Sequence, residues 1–211
     1  MKEIVKTILS LSGSYSPSII FDDWIKLMAI TLANNPHINE NETWKYREQQ
    51  YLDIIKKYNS SEIEKFVLMY AKLIELFDEE ISDYLGEIYM KCEMGNGRLG
   101  QFFTPFHLSK LTSKVAGLKS DLNGIYNVYE PTCGGGGMIL AYAKYLQDEG
   151  INYQQKMRVV AQDLDWRGVY MTYVQCSILG IKAKICQGDT LSEPNVKEEH
   201  RVFYTPTYRI F

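Results

Sequence analysis

The chain has 211 residues, of which 45% are apolar and 23% are charged, and its formal net charge is −3 at pH 7. This composition is typical of a globular protein with enough apolar residues for one good core or two small ones. It excludes a highly charged disordered chain and a nucleic-acid binder that relies on bulk positive charge.

Two regions of the sequence differ in charge and in glycine content. Residues 1–100 carry a net charge of −5 and residues 101–211 a net charge of +2, and Gly13 is the only glycine before residue 86. We place the boundary in the loop of residues 93–100. This predicts a helical domain over residues 1–95 and a second domain over residues 96–211.

The first region is predicted to be all helical. Apolar residues recur at spacings of three and four over residues 21–32 and 63–77, and residues 44–55 suggest a helix between them. Ser61 followed by Glu64 predicts a capping box at the start of the last of these helices. The aromatic residues of this region are interpreted as core.

From residue 105 onward, predicted helices and strands alternate. Helices are expected over residues 105–118, 138–146 and 166–179, and strands over residues 126–129, 158–161, 183–186 and 201–204. Alternation of this kind favours a parallel sheet with helices on its faces. The predicted fold class is therefore α/β, with an all-helical N-terminal region followed by a parallel sheet with helices on its faces.

The strongest signal is the segment EPTCGGGG, residues 130–137, which joins the first predicted strand to its helix. Four glycines cost backbone entropy, and at the end of a parallel strand they allow a ligand to approach the peptide planes and the helix N-terminus. A P-loop requires Gly-Lys-Ser/Thr at its end, but Met138 and Ile139 follow Gly137. A dinucleotide loop requires a third glycine where Ile139 stands. Neither phosphate-binding motif fits.

Three acidic residues stand at the ends of the predicted parallel strands: Glu130, Asp163 of AQDLD and Asp189 of GDTL. The Asp163 carboxylate is able to accept hydrogen bonds from both hydroxyls of a ribose. Asp189 suits the exocyclic amine of adenine, and Glu130 suits a cationic amino group. Each acid alone also fits a helix cap or a turn. Together they favour a nucleoside that carries positive charge, S-adenosylmethionine.

These segments resemble those of adenine-N6 DNA methyltransferases, especially the modification subunits of type I restriction systems. EPTCGGGGM is similar to their cofactor loop, GQFFTP at residues 100–105 to the segment that lines the methionine end of the cofactor, and AQDLD and GDTL to the ribose and adenine contacts. The resemblance is good over residues 95–191 and loose before them. It implies that the cofactor is held by Gln101, Phe102, Phe103, Thr104, Pro105, Glu130, Thr132, Cys133, Gly134, Gly136, Asp163, Leu164, Asp189 and Thr190.

The catalytic motif of this family, Asn/Asp-Pro-Pro-Tyr/Phe after the fourth strand, is altered in this chain. In the family, the amide oxygen and a backbone carbonyl accept the protons of the adenine amino group, and the aromatic ring stacks on the flipped base. Here the fourth predicted strand is followed by Thr205-Pro206-Thr207-Tyr208. The resemblance thus implies catalytic roles for Thr205, Pro206 and Tyr208, with threonine in place of the amide and of the second proline.

The resemblance implies a Rossmann-like methyltransferase sheet over residues 96–211, and the length of this region implies that the sheet is only partial. Residues 101–211 have room for about four strands, whereas the family has seven. The edges of such a sheet need to be covered by the N-terminal helices or by another chain.

Three functions remain open at this point. The first is an S-adenosylmethionine-dependent adenine-N6 DNA methyltransferase of the restriction-modification type, which acts on DNA with partner subunits or through self-association. The second is a catalytically inactive module that binds the cofactor or a partner, which the altered motif favours. The third is a mononucleotide-binding α/β protein of another kind.

The N-terminus and the cysteines predict a reducing compartment. The segment MKEIVKTILSLSGSYSP contains Glu3 and lacks the apolar run and cleavage site of a signal peptide, and no stretch approaches the roughly 18 apolar residues of a membrane span. The four cysteines form no CxxC pair and have no histidine at metal-ligand spacing. We therefore expect a cytoplasmic protein with free thiols, no metal and no membrane contact.

Overall fold

The computed structural model describes residues 1–13, 15–34, 41–93 and 103–209. The first part of the chain is helical, as predicted, and forms α1 (Lys2–Leu11), α2 (Pro17–Ala33), α3 (Glu42–Ile55), α4 (Ser60–Glu79) and α5 (Tyr84–Glu93). The apolar spacing predicts α2, α3 and α4 but not α1 or α5. In these described ranges no helix is long and apolar enough to cross a membrane.

Helix α4 begins with a capping box, but not with the predicted one. The Asn59 side chain accepts a hydrogen bond from the Glu62 amide (3.1 Å), and the Glu62 carboxylate accepts one from the Asn59 amide (2.8 Å). The predicted pair, Ser61 and Glu64, already lies inside the helix. Asparagine is at least as strong an N-cap as serine, so the helix begins two residues earlier.

The second part of the chain alternates helices and strands. Its elements are α6 (Phe106–Ala116), β1 (Tyr126–Glu130), α7 (Gly137–Asp148), α8 (Tyr153–Lys156), β2 (Met157–Asp163), α9 (Trp166–Ile178), β3 (Lys182–Gln187) and β4 (Val202–Tyr204). Strands β1, β2 and β3 are parallel neighbours, with Glu130 opposite Ala161 and Asp163 opposite Gln187. The predicted α/β architecture is confirmed, and the carboxyl ends of these three strands share one edge of the sheet.

Strand β4 corrects the prediction of a wholly parallel sheet. It pairs antiparallel with β3, with Tyr204 opposite Lys184 and Val202 opposite Cys186. A parallel strand needs a crossover, usually an α-helix, that returns the chain to the starting edge. The connection from β3 to β4 contains only a short 3-10 helix, Glu199–Arg201, and the chain turns back directly.

The helices of the second part cover one face of the sheet. Val128 and Val159 pack into the main hydrophobic core, whereas their neighbours Tyr129 and Val160, which are paired in register, are 55% and 42% exposed. Successive strand residues point to opposite faces. In the described part of the chain, the face that carries Tyr129 and Val160 has no helical layer over β1 and β2, which corrects the expectation of helices on both faces.

The N-terminal helices and the sheet share one hydrophobic core. Trp24 of α2 and Tyr173 of α9 belong to the same buried cluster. The two regions are also joined by Arg167 of α9, whose guanidinium donates to both carboxylate oxygens of Asp22 (2.6 and 2.7 Å) and to the Tyr89 hydroxyl (2.7 Å). The boundary between residues 95 and 96 lies outside the described residues, and the division into two domains stays a prediction.

Candidate cofactor-binding site

The glycine loop turns sharply between β1 and α7. Gly134 and Gly136 have φ angles of +50° and +91°, in the left-handed region where a side chain is strained. Gly136 is the N-cap of α7. The Gly136 amide donates to the Cys133 carbonyl (2.8 Å), which closes the turn. Two of the four glycines are therefore required by the backbone conformation itself.

Neighbouring side chains approach the loop closely. A Cβ atom at Gly134 would lie 3.3 Å from the Phe103 ring, and one at Gly136 would lie 3.0 Å from the Thr172 hydroxyl of α9. A Cβ atom at Gly135 would lie 3.0 Å from the Met171 methyl group. The glycine run thus allows α9 to pack against the loop. Phe103, from the predicted methionine-side segment, is brought against the same loop.

Asp163 ends β2 and holds the loop through its carboxylate. Its Oδ2 accepts a hydrogen bond from the Gly134 amide (2.7 Å), and its Oδ1 accepts one from the Asp165 amide (2.9 Å). Each carboxylate oxygen has a second lone pair. Asp163 is therefore placed both to fix the glycine loop and to accept further hydrogen bonds from a ligand.

Glu130 and Asp163 bring two carboxylates together at this edge. Burial raises the pKa of Glu130, an amide hydrogen bond from Thr132 opposes the shift, and the negative charge of Asp163 adds to it. Within the described residues neither carboxylate forms an ion pair with lysine or arginine. Two carboxylates at one sheet edge, with no cationic partner among the described residues, suit a positively charged ligand. The negative charge of the two carboxylates therefore fits the positive ammonium and sulfonium groups of S-adenosylmethionine.

Asp189 and Thr190 lie beyond the end of β3. Asp189 is exposed, and a hydrogen bond from the Leu191 amide to its Oδ1 (3.0 Å) lowers its pKa. The Thr190 hydroxyl donates to the Pro131 carbonyl (2.5 Å), which links this turn to the glycine loop. The turn after β3 is thus held beside the loop after β1.

The other predicted cofactor residues have diverse environments. Leu164 is 68% exposed, Thr132 is exposed, and Cys133 is buried. Burial raises the pKa of the Cys133 thiol far above its ordinary value, which favours the protonated thiol over the nucleophilic thiolate. Thr104 and Pro105 are exposed, and Pro105 is the N-cap of α6. Gln101 and Phe102 lie outside the described residues.

The predicted catalytic segment lies at the opposite edge of the sheet. Because β4 runs antiparallel to β3, residue 205 is at the amino end of β3, whereas the glycine loop is at the carboxyl ends of the parallel strands. Thr205 is fully buried. Its hydroxyl donates to the Ile181 carbonyl (2.8 Å) and accepts from the Ala183 amide (3.0 Å). These contacts give Thr205 a structural role.

Pro206 and Tyr208 follow in the 3-10 turn Pro206–Arg209 and are exposed at the same far edge. The Tyr208 ring lies against Tyr204, with 5.0 Å between the ring centroids. The structure therefore brings none of Thr205, Pro206 and Tyr208 to the glycine loop. The antiparallel direction of β4 accounts for this difference, and the absence of a predicted crossover helix between the third and fourth strands is the sequence signal that could have indicated it.

Two buried polar residues behind the loop were missed by sequence reasoning. Asp83 and Gln175 are 3% and 0% exposed. Gln175 donates to the Gly135 carbonyl (2.7 Å) and to Asp83 (2.9 Å). Asp83 stands before the run Tyr84-Leu85 in the manner of a helix cap, and Gln175 is a polar residue inside an apolar helix. Both features are visible in the sequence, but neither of them indicates that the side chain is buried beside the glycine loop.

The sequence profile of the N-6 DNA Methylase family matches residues 80–208. This range includes Asp83, the glycine loop and the three strand-end acids, and the chain belongs to this family. No match was found among curated proteins. In the described ranges, no group of three or more His, Cys, Asp or Glu side chains is placed to hold a metal ion.

Two solved structures are similar to the chain. A protein described as a class I S-adenosylmethionine-dependent methyltransferase from Listeria monocytogenes is 13% identical, with a TM-score of 0.46 over 93% of this chain and 55% of its own. The type I restriction-modification system methyltransferase subunit from Streptococcus thermophilus is 19% identical, with a TM-score of 0.46 over 90% of this chain and 43% of its own. The chain thus spans about half the length of these structures.

Proposed function

We propose that this chain binds S-adenosylmethionine at the carboxyl edge of β1–β3 and is the cofactor-binding part of an adenine-N6 DNA methyltransferase of a restriction-modification system. The observation that carries the proposal is the pair of carboxylates, Glu130 and Asp163, beside the glycine loop. Family membership supports methyl transfer to the N6 atom of adenine. The cofactor supplies an electrophilic methyl group on a sulfonium centre.

In this proposal, each residue of the carboxyl edge contacts a different part of the cofactor. Asp163 accepts hydrogen bonds from the ribose hydroxyls with the lone pairs that the Gly134 and Asp165 amides leave free. Glu130 neutralises the ammonium group, and Asp189 accepts from the adenine amine. Phe103 lies against the glycine loop and shields the methionine end from water. DNA as the substrate makes the cytoplasm the expected place of action.

A second candidate is a catalytically inactive module that binds the cofactor or a partner. The buried position of Thr205, at the far edge of the sheet, favours it because no predicted catalytic group stands beside the glycine loop. In both cases the partners are further restriction-modification subunits or a second copy of the chain, with DNA bound through the assembly.

Isothermal titration calorimetry tests cofactor binding. We expect S-adenosylmethionine to bind with micromolar affinity and NAD to bind at least tenfold more weakly. Preference for NAD would contradict the proposal and favour the mononucleotide-binding alternative. Absence of binding by folded protein would also contradict it.

Methyl transfer separates the two candidates. The chain is incubated with tritium-labelled S-adenosylmethionine and duplex DNA of varied sequence, with and without the partner subunits of a restriction-modification system. Label on adenine N6 supports the enzyme. Cofactor binding without transfer under all these conditions supports the inactive module.

A further inference from the structure

A chain of buried hydrogen bonds connects the helical region to the glycine loop. Asp83 precedes α5, and its Oδ1 accepts from the Gln175 side-chain amide of α9 (2.9 Å). The same amide nitrogen donates to the Gly135 carbonyl (2.7 Å). Three segments that are distant in the sequence therefore meet at one side chain.

Each polar group of Gln175 has a defined partner. Its nitrogen donates to Asp83 and to Gly135, and its oxygen accepts from the Leu85 amide (3.2 Å). An amide nitrogen carries two hydrogens, so both are used. Asp83 is fixed in turn by the Gly86 amide, which donates to its Oδ1 (3.0 Å). The orientation of Gln175 towards the loop is therefore set from the N-terminal side.

The loop backbone also packs directly against the Asp83 carboxylate. A Cβ atom at Gly137 would lie 3.1 Å from Asp83 Oδ2, and one at Gly135 would lie 3.5 Å from Oδ1. The first distance is tighter than ordinary van der Waals contact. Glycine at these two positions thus serves the contact with Asp83, whereas glycine at Gly134 and Gly136 serves the turn.

Capping α5 alone does not require a buried carboxylate. A surface Ser, Thr or Asn caps a helix equally well, whereas burial of a carboxylate is costly unless it is well hydrogen-bonded. Burial raises the pKa of Asp83 to about 6, against the hydrogen bonds from Gln175 and Gly86, and nearby Glu87 adds to the rise. Capping of α5 therefore does not explain why the Asp83 carboxylate is buried despite the free-energy cost of burial. Its contact with the glycine loop does explain it.

We propose that Asp83 is a positioning residue for the cofactor site. Through its hydrogen bond with Gln175, Asp83 holds the glycine loop in its binding conformation. This inference rests on the proposed function, because the loop is taken to contact S-adenosylmethionine. It makes the helical region a part of the cofactor site rather than a separate appendage. Asp83 acts on the Gly135 carbonyl and not on the ligand.

Two readouts test the proposal: cofactor affinity by calorimetry, and hydrogen exchange of the Gly134 and Gly136 amides without ligand. In Asp83→Leu we expect at least tenfold weaker S-adenosylmethionine binding and at least tenfold faster exchange of both amides. Asp83→Asn keeps an acceptor oxygen and is expected to stay within twofold of the wild type in both. If Asp83→Leu does not fold, Gln175→Met, which keeps the volume but removes the donors, is expected to show the same two losses.

The matched control is Asp23→Leu. Asp23 is also a buried carboxylate, 7% exposed, and accepts from the Tyr58 hydroxyl (2.8 Å) and the Lys57 ammonium (3.1 Å), both in the helical region. We expect this variant to lose stability in urea unfolding without a change in loop exchange or in affinity. If Asp23→Leu and Asp83→Leu lose S-adenosylmethionine affinity and loop protection from exchange to the same extent, the positioning role of Asp83 is overturned.

The two proposals fail in different ways. If the wild type does not bind S-adenosylmethionine, the proposed function fails, while the exchange of the Gly134 and Gly136 amides still decides whether Asp83 holds the loop. If the wild type binds and the Asp83→Leu and Gln175→Met variants bind equally well with unchanged exchange, the proposed function stands and the role of Asp83 is overturned.

Discussion

The two edges of the sheet use polar side chains in different ways. At the carboxyl edge of β1–β3, Asp163 holds the backbone of the glycine loop and keeps lone pairs for further hydrogen bonds. At the opposite edge, the Thr205 hydroxyl is enclosed between the Ile181 carbonyl and the Ala183 amide and is 0% exposed. The Asp163 carboxylate can thus accept further hydrogen bonds, whereas the hydrogen bonds of the Thr205 hydroxyl are all made within the fold.

This difference depends on strand direction more than on sequence. Thr205-Pro206-Thr207-Tyr208 follows a strand, as the catalytic motif of the family does, but β4 runs antiparallel to β3. Its end therefore lies at the amino edge of β1–β3, away from Glu130 and Asp163 at the carboxyl edge. A segment that aligns with the catalytic motif can form part of the site only if its strand runs towards the edge of the sheet that carries the glycine loop.

The largest expected effect concerns the buried acid behind the carboxyl edge. The pKa of Asp83 is about 6 in the folded protein, compared with about 3.9 in an unfolded chain, so the folded state holds more protons between these values. The free energy of unfolding should therefore fall by about 2 kcal/mol as the pH rises from 4 to 6. The total fall, from below the unfolded pKa to about one pH unit above the folded pKa, should be about 3 kcal/mol.

Urea unfolding of the wild type and of Asp83→Asn between pH 4 and pH 7.5 measures this contribution. Asparagine does not titrate, so the difference between the two curves should carry the whole slope. Glu130 and Asp22, whose pKa values burial also raises, contribute to both proteins and cancel. Parallel curves would show that Asp83 titrates normally.

The second largest effect concerns cofactor affinity at the carboxyl edge. Asp163→Ala removes an acceptor of charge-assisted hydrogen bonds, each worth about 1.5–3 kcal/mol, so S-adenosylmethionine should bind about 100-fold more weakly. The matched control is Asp121→Ala, because Asp121 also accepts two backbone amides, those of Asn123 (2.8 Å) and Ile125 (3.0 Å), but precedes β1. Calorimetry that gives both variants the same affinity would show that Asp163 serves the loop alone.

The sequence predicts the three parallel strands of the sheet because their signals are local. The apolar runs and the glycine loop each mark a boundary within a few residues, and the alternation of elements implies parallel strands. The place of Asp163 at the end of β2 follows from the same pattern. Its hydrogen bond to Gly134, 29 residues away, follows only from the folded structure.

The remaining features depend on long-range packing. The direction of β4 is set by the connection after β3, which contains only a short 3-10 helix and no crossover helix. The burial of Asp83 arises because α5, α9 and the glycine loop meet around it. In the sequence, Asp83 is indistinguishable from a surface cap such as Asn59, which caps α4.

A smaller effect is expected for the turn of the loop. At Gly136, alanine meets a φ of +91° and a Cβ position 3.0 Å from the Thr172 hydroxyl, whereas at Gly150 it meets a φ of +73° and no atom within 4 Å. The left-handed conformation costs about 1–2 kcal/mol in both, and the contact with Thr172 adds about 1–3 kcal/mol at Gly136 only. Gly136→Ala should therefore lower the free energy of unfolding by about 2 kcal/mol more than Gly150→Ala. If urea unfolding gives both variants the same loss in the free energy of unfolding, Thr172 of α9 moves to accommodate the added methyl group.

The smallest effect is expected at the opposite edge. Thr205→Val keeps the shape of the side chain but leaves the Ile181 carbonyl and the Ala183 amide without their hydroxyl partner, at a cost of about 1–2 kcal/mol in the free energy of unfolding. Thr205→Ser should recover most of this loss. S-adenosylmethionine affinity should be unchanged in both variants, because residue 205 lies away from the glycine loop. If Thr205→Asn instead gained methyl transfer to DNA, the segment would have to reach the cofactor, and the two edges would no longer have separate roles.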